Sequence, residues 1–262
     1  MSSILKPVLG SQLNFGHPLA QGLAGLWLFN KGSGGQVFDL VNGNTGTLAG
    51  DTHWVAGKFG PALKFDGTGD VVGIGTNPKL GFTSEDYTLY LYFMITDSSD
   101  SDWLYSKGQA NNDGFYVQVR NNNIIRVITA QDGAQQETDT TTTFSDNVWH
   151  SLVVVRKGSY IHIYLDGVEC SYLSQPVITD PDDASARTAY ISGYFADYGI
   201  VGLISHGAVW NGRALSASEI ALLHREPFCM FERIPIELWA AATQGGVPPA
   251  GIPIFRRRIE AA

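Results

Sequence analysis

Apolar residues along the chain come in short runs broken by Gly, Asn, Asp and Pro, a spacing that predicts strands joined by turns. LAGLWLF at 23–29 is the first such run, and the glycine-rich stretch at 32–35 ends it. The Asn- and Gly-rich segment at 39–50 reads as a loop, because both residues tolerate positive φ. ALKF and VVGI flank the turn DGTGD at 66–70. YTLYLYFMI at 87–95 is apolar or aromatic at nearly every position, which predicts a central strand shielded on both faces. GFYVQVR at 114–120 and NIIRVIT at 123–129 are separated by an Asn run and predict a hairpin with Phe115, Val117 and Val119 inward. VWHSLVVVR at 148–156 leads to YIHIYL, where Ile161, Ile163 and Leu165 alternate with polar or aromatic positions before the turn pair Asp166-Gly167. TAYIS and VGLISHGAVW add late strands, and Ser216 three residues ahead of Glu219 forms a capping-box pattern that starts one helix over about 216–224.

Many short strands with a single late helix predict an all-β fold: a two-sheet antiparallel jelly-roll sandwich with one short C-terminal helix and extended terminal arms. Residues 1–22, punctuated by Pro7, Gly10, Gly16, Pro18 and Gly22, read as an extended arm outside the core. The jelly roll spans 23–225, and 226–262 forms an extension with an apolar segment and a basic tail.

Composition narrows the function classes. The 262 residues are 44% hydrophobic and 16% charged, enough apolar material for a sizeable core and too little charge for a disordered chain. A formal net charge of -8 opposes attraction to nucleic acid phosphates. Cys170 and Cys229 stand far apart with no CxxC pair, which predicts two buried free thiols. The opening MSSILKPVLG lacks the apolar run of a secretory signal, and no run reaches membrane-span length, so synthesis in the cytosol without membrane attachment is expected.

Four segments in order, GLWLFNKGSGGQVFDLVNGNTGTL, KFDGTGDVVGI, NVWHSLVVVRKGSYIHIYLDGVE and YGIVGLISHGAVWNGRALSASEI, resemble the laminin-G-like jelly-roll family across about 22–224. The resemblance implies the concanavalin-like fold, with two curved antiparallel sheets and ligands on the concave face or at the rim. The two ends, LGSQLNFGHPLAQGLAGLWLFN and REPFCMFERIPIELW, resemble the flanks of laminin-G-like proteins encoded by bacteriophages and prophages. That implies a virion component, made in the host cytoplasm, with other virion proteins and sister copies as partners.

Laminin-G-like modules often hold calcium, a hard cation that takes six to eight oxygen ligands. Asp39, Asn42 and Asn44 resemble the family's Asp-rich turn after the first strand, whereas Ser205 and His206 stand where the family usually places acidic residues. No cofactor is expected apart from calcium at that turn, where Asn and Asp also serve simply as turn formers. Asp97, Asp100 and Asp102 lack the Gly and terminal Glu of an EF-hand loop and read as a solvated loop.

Glycan recognition needs aromatic faces and planar polar groups. Trp103, Tyr105, Lys107, Asn111, Asn112 and Asp113 gather before the strand at 114, and Tyr160, His162 and Tyr164 alternate toward one face away from the core. Outward aromatics also serve as ordinary cross-strand partners. Phe228, Met230, Phe231, Leu238 and Trp239 form an apolar stripe that either packs back on the sandwich or docks on another subunit, and Arg256, Arg257 and Arg258 form the basic run that would clamp an acidic neighbour. No GxSxG, HExxH or P-loop pattern appears, and the carboxylates are scattered, so catalysis is not expected. The reading is a non-enzymatic, virion-associated capsid decoration or tail protein whose lectin-like domain binds surface polysaccharide. A freestanding carbohydrate-binding lectin and a polysaccharide-degrading enzyme on the same fold are the alternatives.

Overall fold

The structure is a computed structural model that describes residues 4–97, 102–174, 177–195 and 198–232. Asp100, Leu238, Trp239, Arg256, Arg257 and Arg258 lie outside the described residues. The described strands are β1 Leu23–Trp27, β2 Gln36–Val37, β3 Gly46–Ala49, β4 His53–Gly57, β5 Gly60–Asp66, β6 Val71–Gly73, β7 Tyr87–Asp97 and β8 Asp102–Gln109. They continue as β9 Asp113–Arg120, β10 Ile124–Gln131, β11 Ala134–Thr143, β12 His150–Lys157, β13 Tyr160–Leu165, β14 Val168–Glu169, β15 Ala189–Ile191 and β16 Val201–Asn211. Helix α1, Ala217–Arg225, follows them.

Two antiparallel sheets face each other, as the alternation requires. The first runs β14-β13-β12-β7-β16-β5-β4 with β1 added against β16, and the second runs β11-β10-β9-β8-β15-β6-β3-β2. Their facing sides form one core, to which β7 gives Leu89, Leu91, Phe93 and Ile95, β12 gives Leu152 and Val154, and β9 gives the expected Phe115, Val117 and Val119. The hairpin turn at Asp166-Gly167 has φ of 50° and 81°, the left-handed conformation that the pair was read to supply.

The other face of the first sheet carries a second apolar layer. Tyr90 and Tyr92 of β7, Val153 and Val155 of β12, and Trp210 of β16 point into it and meet Ile220 and Leu223 of α1. Ser216 caps that helix as expected, with reciprocal bonds to and from Glu219.

Residues at 13–20 and at 228–231, on either side of the predicted jelly roll, enter this layer. Leu13, Leu19 and Ala20 are buried in it, and the Trp210 indole N–H donates to the Leu19 carbonyl at 2.7 Å. Lys6 is buried, its ammonium donating to the carbonyls of Phe29, Pro61 and Ser205. Lys6, Leu13, Leu19 and Ala20, read as part of an extended arm outside the core, are therefore buried. Met230 and Phe231 are buried in the same layer, Phe228 packs on it 5.5 Å from the Phe59 ring, and Leu13 bridges to Phe231. The apolar residues at 228–231 thus pack back on their own sandwich, the first of the two options the sequence left open, with Met230 and Phe231 buried and Phe228 partly buried. Cys170 is a buried free thiol and Cys229 a partly buried one.

Candidate ligand cleft at the sandwich rim

One end of the sandwich is shaped by a close approach between β8 and β9. Gly108 and Gly114 face each other with φ of 141° and 82°, and a Cβ on Gly114 would lie 1.9 Å from the Lys107 carbonyl. Only glycine permits that approach. Lys107 pairs across the strands with the inward Phe115, and its stem passes over Gly81, where an added Cβ would come within 2.9 Å of its Cδ.

The ammonium reaches a cleft of about 390 Å³ that Phe82, Thr83, Glu85, Phe115, Asp183 and Ser185 also line. Lys107 is only 1% exposed, yet one of its three donors has a protein acceptor among the described residues, the Arg187 carbonyl at 2.8 Å. Arg187 in turn is held by its guanidinium, which donates to Asp113 at 3.0 and 3.1 Å and to Gln109 at 2.7 Å. Burial pulls the Lys107 pKa down to about 8, while the charges of Asp183 and Asp113 act in the other direction. Thr83 donates to Glu85 through its backbone N–H at 2.8 Å and its hydroxyl at 3.1 Å, and the backbone bond leads in holding that carboxyl below its usual range.

Aromatic rings back the cleft, Phe82 and Phe115 lying 4.6 Å apart at a 35° tilt. Arg156 sits 5.2 Å from the Phe82 ring, donates to the Glu85 carbonyl at 2.7 Å and pairs with Asp180. The site thus presents fixed donors and acceptors beside apolar rings. A group that both donates and accepts, such as a sugar hydroxyl, is what such a wall can bind.

The predicted glycan residues are divided by this geometry. Lys107 lines the cleft, and Asp113 supports it through Arg187. Trp103 and Tyr105, expected to gather beside the turn before the strand at 114, lie in β8. Trp103 is covered by Tyr194, stacked at 4.6 Å, and Tyr105 is fully buried with its hydroxyl on the Leu80 carbonyl, so neither ring is free to stack on a ligand. Asn111 adopts φ of 60° in the turn, and Asn112 donates to Asp113. Tyr160 is 47% exposed and His162 binds Glu169 at 2.7 Å, but Tyr164 is buried in the second apolar layer. The three do not form one open aromatic face. Phe82, Glu85, Asp183 and Ser185 escaped sequence reading because they sit in irregular segments without periodicity, and their nearest signal was the acidic turn DPDD at 180–183.

Asp39 was the candidate calcium ligand. Its Oδ1 accepts the N–H groups of Leu26 and Val41, and its Oδ2 accepts those of Asn42 and Asn44 together with the Asn44 side-chain amide. The Asn42 and Asn44 amides also donate to the Ala24 carbonyl. Five donors already converge on the two Asp39 oxygens, so a cation at this turn would compete with those hydrogen bonds. Asp102, read as solvated, is buried at the start of β8. A further acidic group, Asp51, Asp66 and Asp70, has carboxylate oxygens within 4.8 Å of one another, and Asp70 accepts the backbone N–H groups of Asp51 and Asp66.

His150, at the start of β12, donates from Nδ1 to the Asp166 carboxylate at 2.7 Å, and its Nε2 faces the Ser145 carbonyl at 3.1 Å. Ser151 meets His224 Nδ1 at 2.8 Å, and the same nitrogen is the one 3.9 Å from Asp166. A relay through an imidazole needs both of its nitrogens, so this trio is not arranged as an activated nucleophile.

The family model described as the Concanavalin A-like lectin/glucanases superfamily, of the third laminin-G type, matches residues 66–221, more than half of the chain. No curated protein matches the sequence significantly. Among solved structures, a Trypanosoma rangeli sialidase in complex with a difluoro sialic acid analogue is 16% identical with a TM-score of 0.59, over 87% of this chain and 37% of the sialidase. The binding domain of Paraclostridial Mosquitocidal Protein 1 is 13% identical with a TM-score of 0.63, over 80% of this chain and 53% of that one. Domain 4 of AbnA, a GH43 extracellular arabinanase from Geobacillus stearothermophilus, in complex with arabinotriose, is 16% identical with a TM-score of 0.58 over 77% of this chain and 98% of that domain. The chain therefore spans about a third of the sialidase and about half of the toxin fragment, and at these identities the likeness is one of fold.

Proposed function

Because the chain belongs to the Concanavalin A-like lectin/glucanases superfamily, we propose that it is a non-catalytic glycan-binding module whose rim cleft around Lys107 receives a sugar unit. The observation that carries this reading is a buried lysine with one protein acceptor among the described residues, lining an aromatic-backed cleft beside two carboxylates. Such an ammonium can give its further donors to water or to a ligand hydroxyl that enters the cleft. Arabinotriose on a fold neighbour of similar extent supports the choice of ligand class.

Isothermal titration against an oligosaccharide panel that includes arabinotriose tests the reading. Lys107→Met is expected to weaken binding of the best ligand by at least about 1.5 kcal/mol, the range for a hydrogen bond to a charged group. Equal affinity in the variant would move the site elsewhere. Polysaccharide incubated with the protein is expected to stay intact, and released fragments would replace the non-catalytic reading with a hydrolytic one.

The setting we propose is a virion, as a decoration or tail component. Its support is the resemblance of the segments at 9–30 and 225–239 to the flanks of laminin-G-like phage proteins. Immunogold labelling of intact particles from a producing host is expected to find the protein on them. Absence from particles would leave a freestanding lectin.

A further inference from the structure

We propose that the cleft selects uncharged sugar units and rejects uronic acids, an inference that rests on the glycan-binding reading above. The charge inventory of the walls is the basis. Lys107 is the one cation among the described lining residues, and Glu85 and Asp183 are two carboxylates on the same walls. Of the cations nearby, Arg187 is engaged on Asp113 and Arg156 on Asp180, and Lys79 is exposed and does not line the cleft. One negative charge is therefore left over.

The Lys107 ammonium is itself under the attraction of Asp183 and Asp113, so part of its field is offset before any ligand arrives. A carboxylate entering to accept from Lys107 would shed water and approach two like charges on the cleft walls. A hydroxyl can accept from Lys107 and donate to Glu85 or Asp183 without that repulsion. Thr83 and Ser185 add hydroxyls to the walls but no charge, although their present bonds run to Glu85 and Asp183. The whole chain, at -8, repels acidic polymers at longer range as well.

The test uses the full chain and an array in which each neutral oligosaccharide is paired with the same oligosaccharide oxidised to a carboxylate at its primary hydroxyl. The neutral member of the best pair is expected to bind at least roughly tenfold more tightly at low salt, with the gap shrinking as salt screens the repulsion. The double variant Glu85→Gln/Asp183→Asn is expected to narrow the gap at low salt. Uronate binding as tight as neutral binding, or an undiminished gap in the double variant, would overturn the selection while leaving a glycan-binding protein. Failure of every member of the array to bind would instead sink the glycan reading, and the selection with it.

Discussion

At the scale of single residues, the carboxylates of this fold act mainly as organisers of backbone. Asp39 gathers four backbone N–H groups and one side-chain amide, closing the loop between β1 and β3. Replacing it by Ala leaves those donors without acceptors, and Asp39→Ala is expected to cost about 1–3 kcal/mol, read from the urea midpoint. Because a cation would compete with those bonds, calcium and a chelator are expected to give the same Tm, and a rise with calcium would restore the metal reading. Its place in a turn was legible from the surrounding Asn and Gly, but its five partners were not, since Leu26 belongs to the preceding strand. The pair His150–Asp166 behaves differently, through its charge. Burial works against the charged form of each, but their mutual bond prevails, so the His150 pKa lies above 6.5 and that of Asp166 below 3.8. A raised imidazole stabilises the fold fully below 6.5 and loses that effect as pH rises through its folded value. A lowered carboxyl stabilises fully above 3.8 and loses the effect as pH falls through its own. A double-mutant cycle of His150→Gln and Asp166→Asn is therefore expected to show its largest coupling between about pH 4 and 6, and to fade at about pH 9. A coupling that is flat across this range would mean that the imidazole is neutral throughout.

Elements were legible in proportion to how strictly their side chains alternate or cap. β7, β12 and β13 each send successive side chains to different layers, and the sequence shows the same alternation or continuous apolarity. β11 carries AQQETDTTTT, which has no apolar face to read, and it becomes a strand by pairing along β10, where Arg126 binds Asp139 at 2.6 Å and Glu137 at 2.7 Å. β8 was missed for the opposite reason, since DWLYSKGQ mixes polar and aromatic residues that are almost all buried. The helix was legible from its cap alone. Ser216 holds Glu219 in both directions, so Ser216→Ala is expected to lower stability by about 1 kcal/mol, and Ser216→Asn, which keeps an acceptor, by less. Thermal melts of both variants check this, and equal losses would assign the effect to packing of α1 and not to its cap.

For the molecule as a whole, sandwich architecture was readable because it repeats one rule many times, whereas the cleft brings together residues from Pro78 to Ser185 that no local pattern connects. The burial of Leu13, Leu19 and Ala20 was not legible because glycine and proline at 1–22 signal irregular backbone, which does not mean absence from the core. The distinction has a measurable consequence. The second apolar layer is closed partly by Leu13, Leu19 and Ala20, and Trp210 relies on the Leu19 carbonyl for its indole N–H. Losing a single buried Leu of this kind costs about 2–5 kcal/mol, and total stability of a domain is about 5–15 kcal/mol. A chain lacking residues 1–22 also leaves Trp210 unsatisfied and opens Leu23, Leu26 and Leu28 to water, so it is expected to lose cooperative unfolding and to bind a hydrophobic dye. Circular dichroism melts and dye fluorescence on the shortened chain check this. A sharp transition at the full-length Tm would show that the first sheet closes without its N-terminal segment, and would return those residues to the status of an arm.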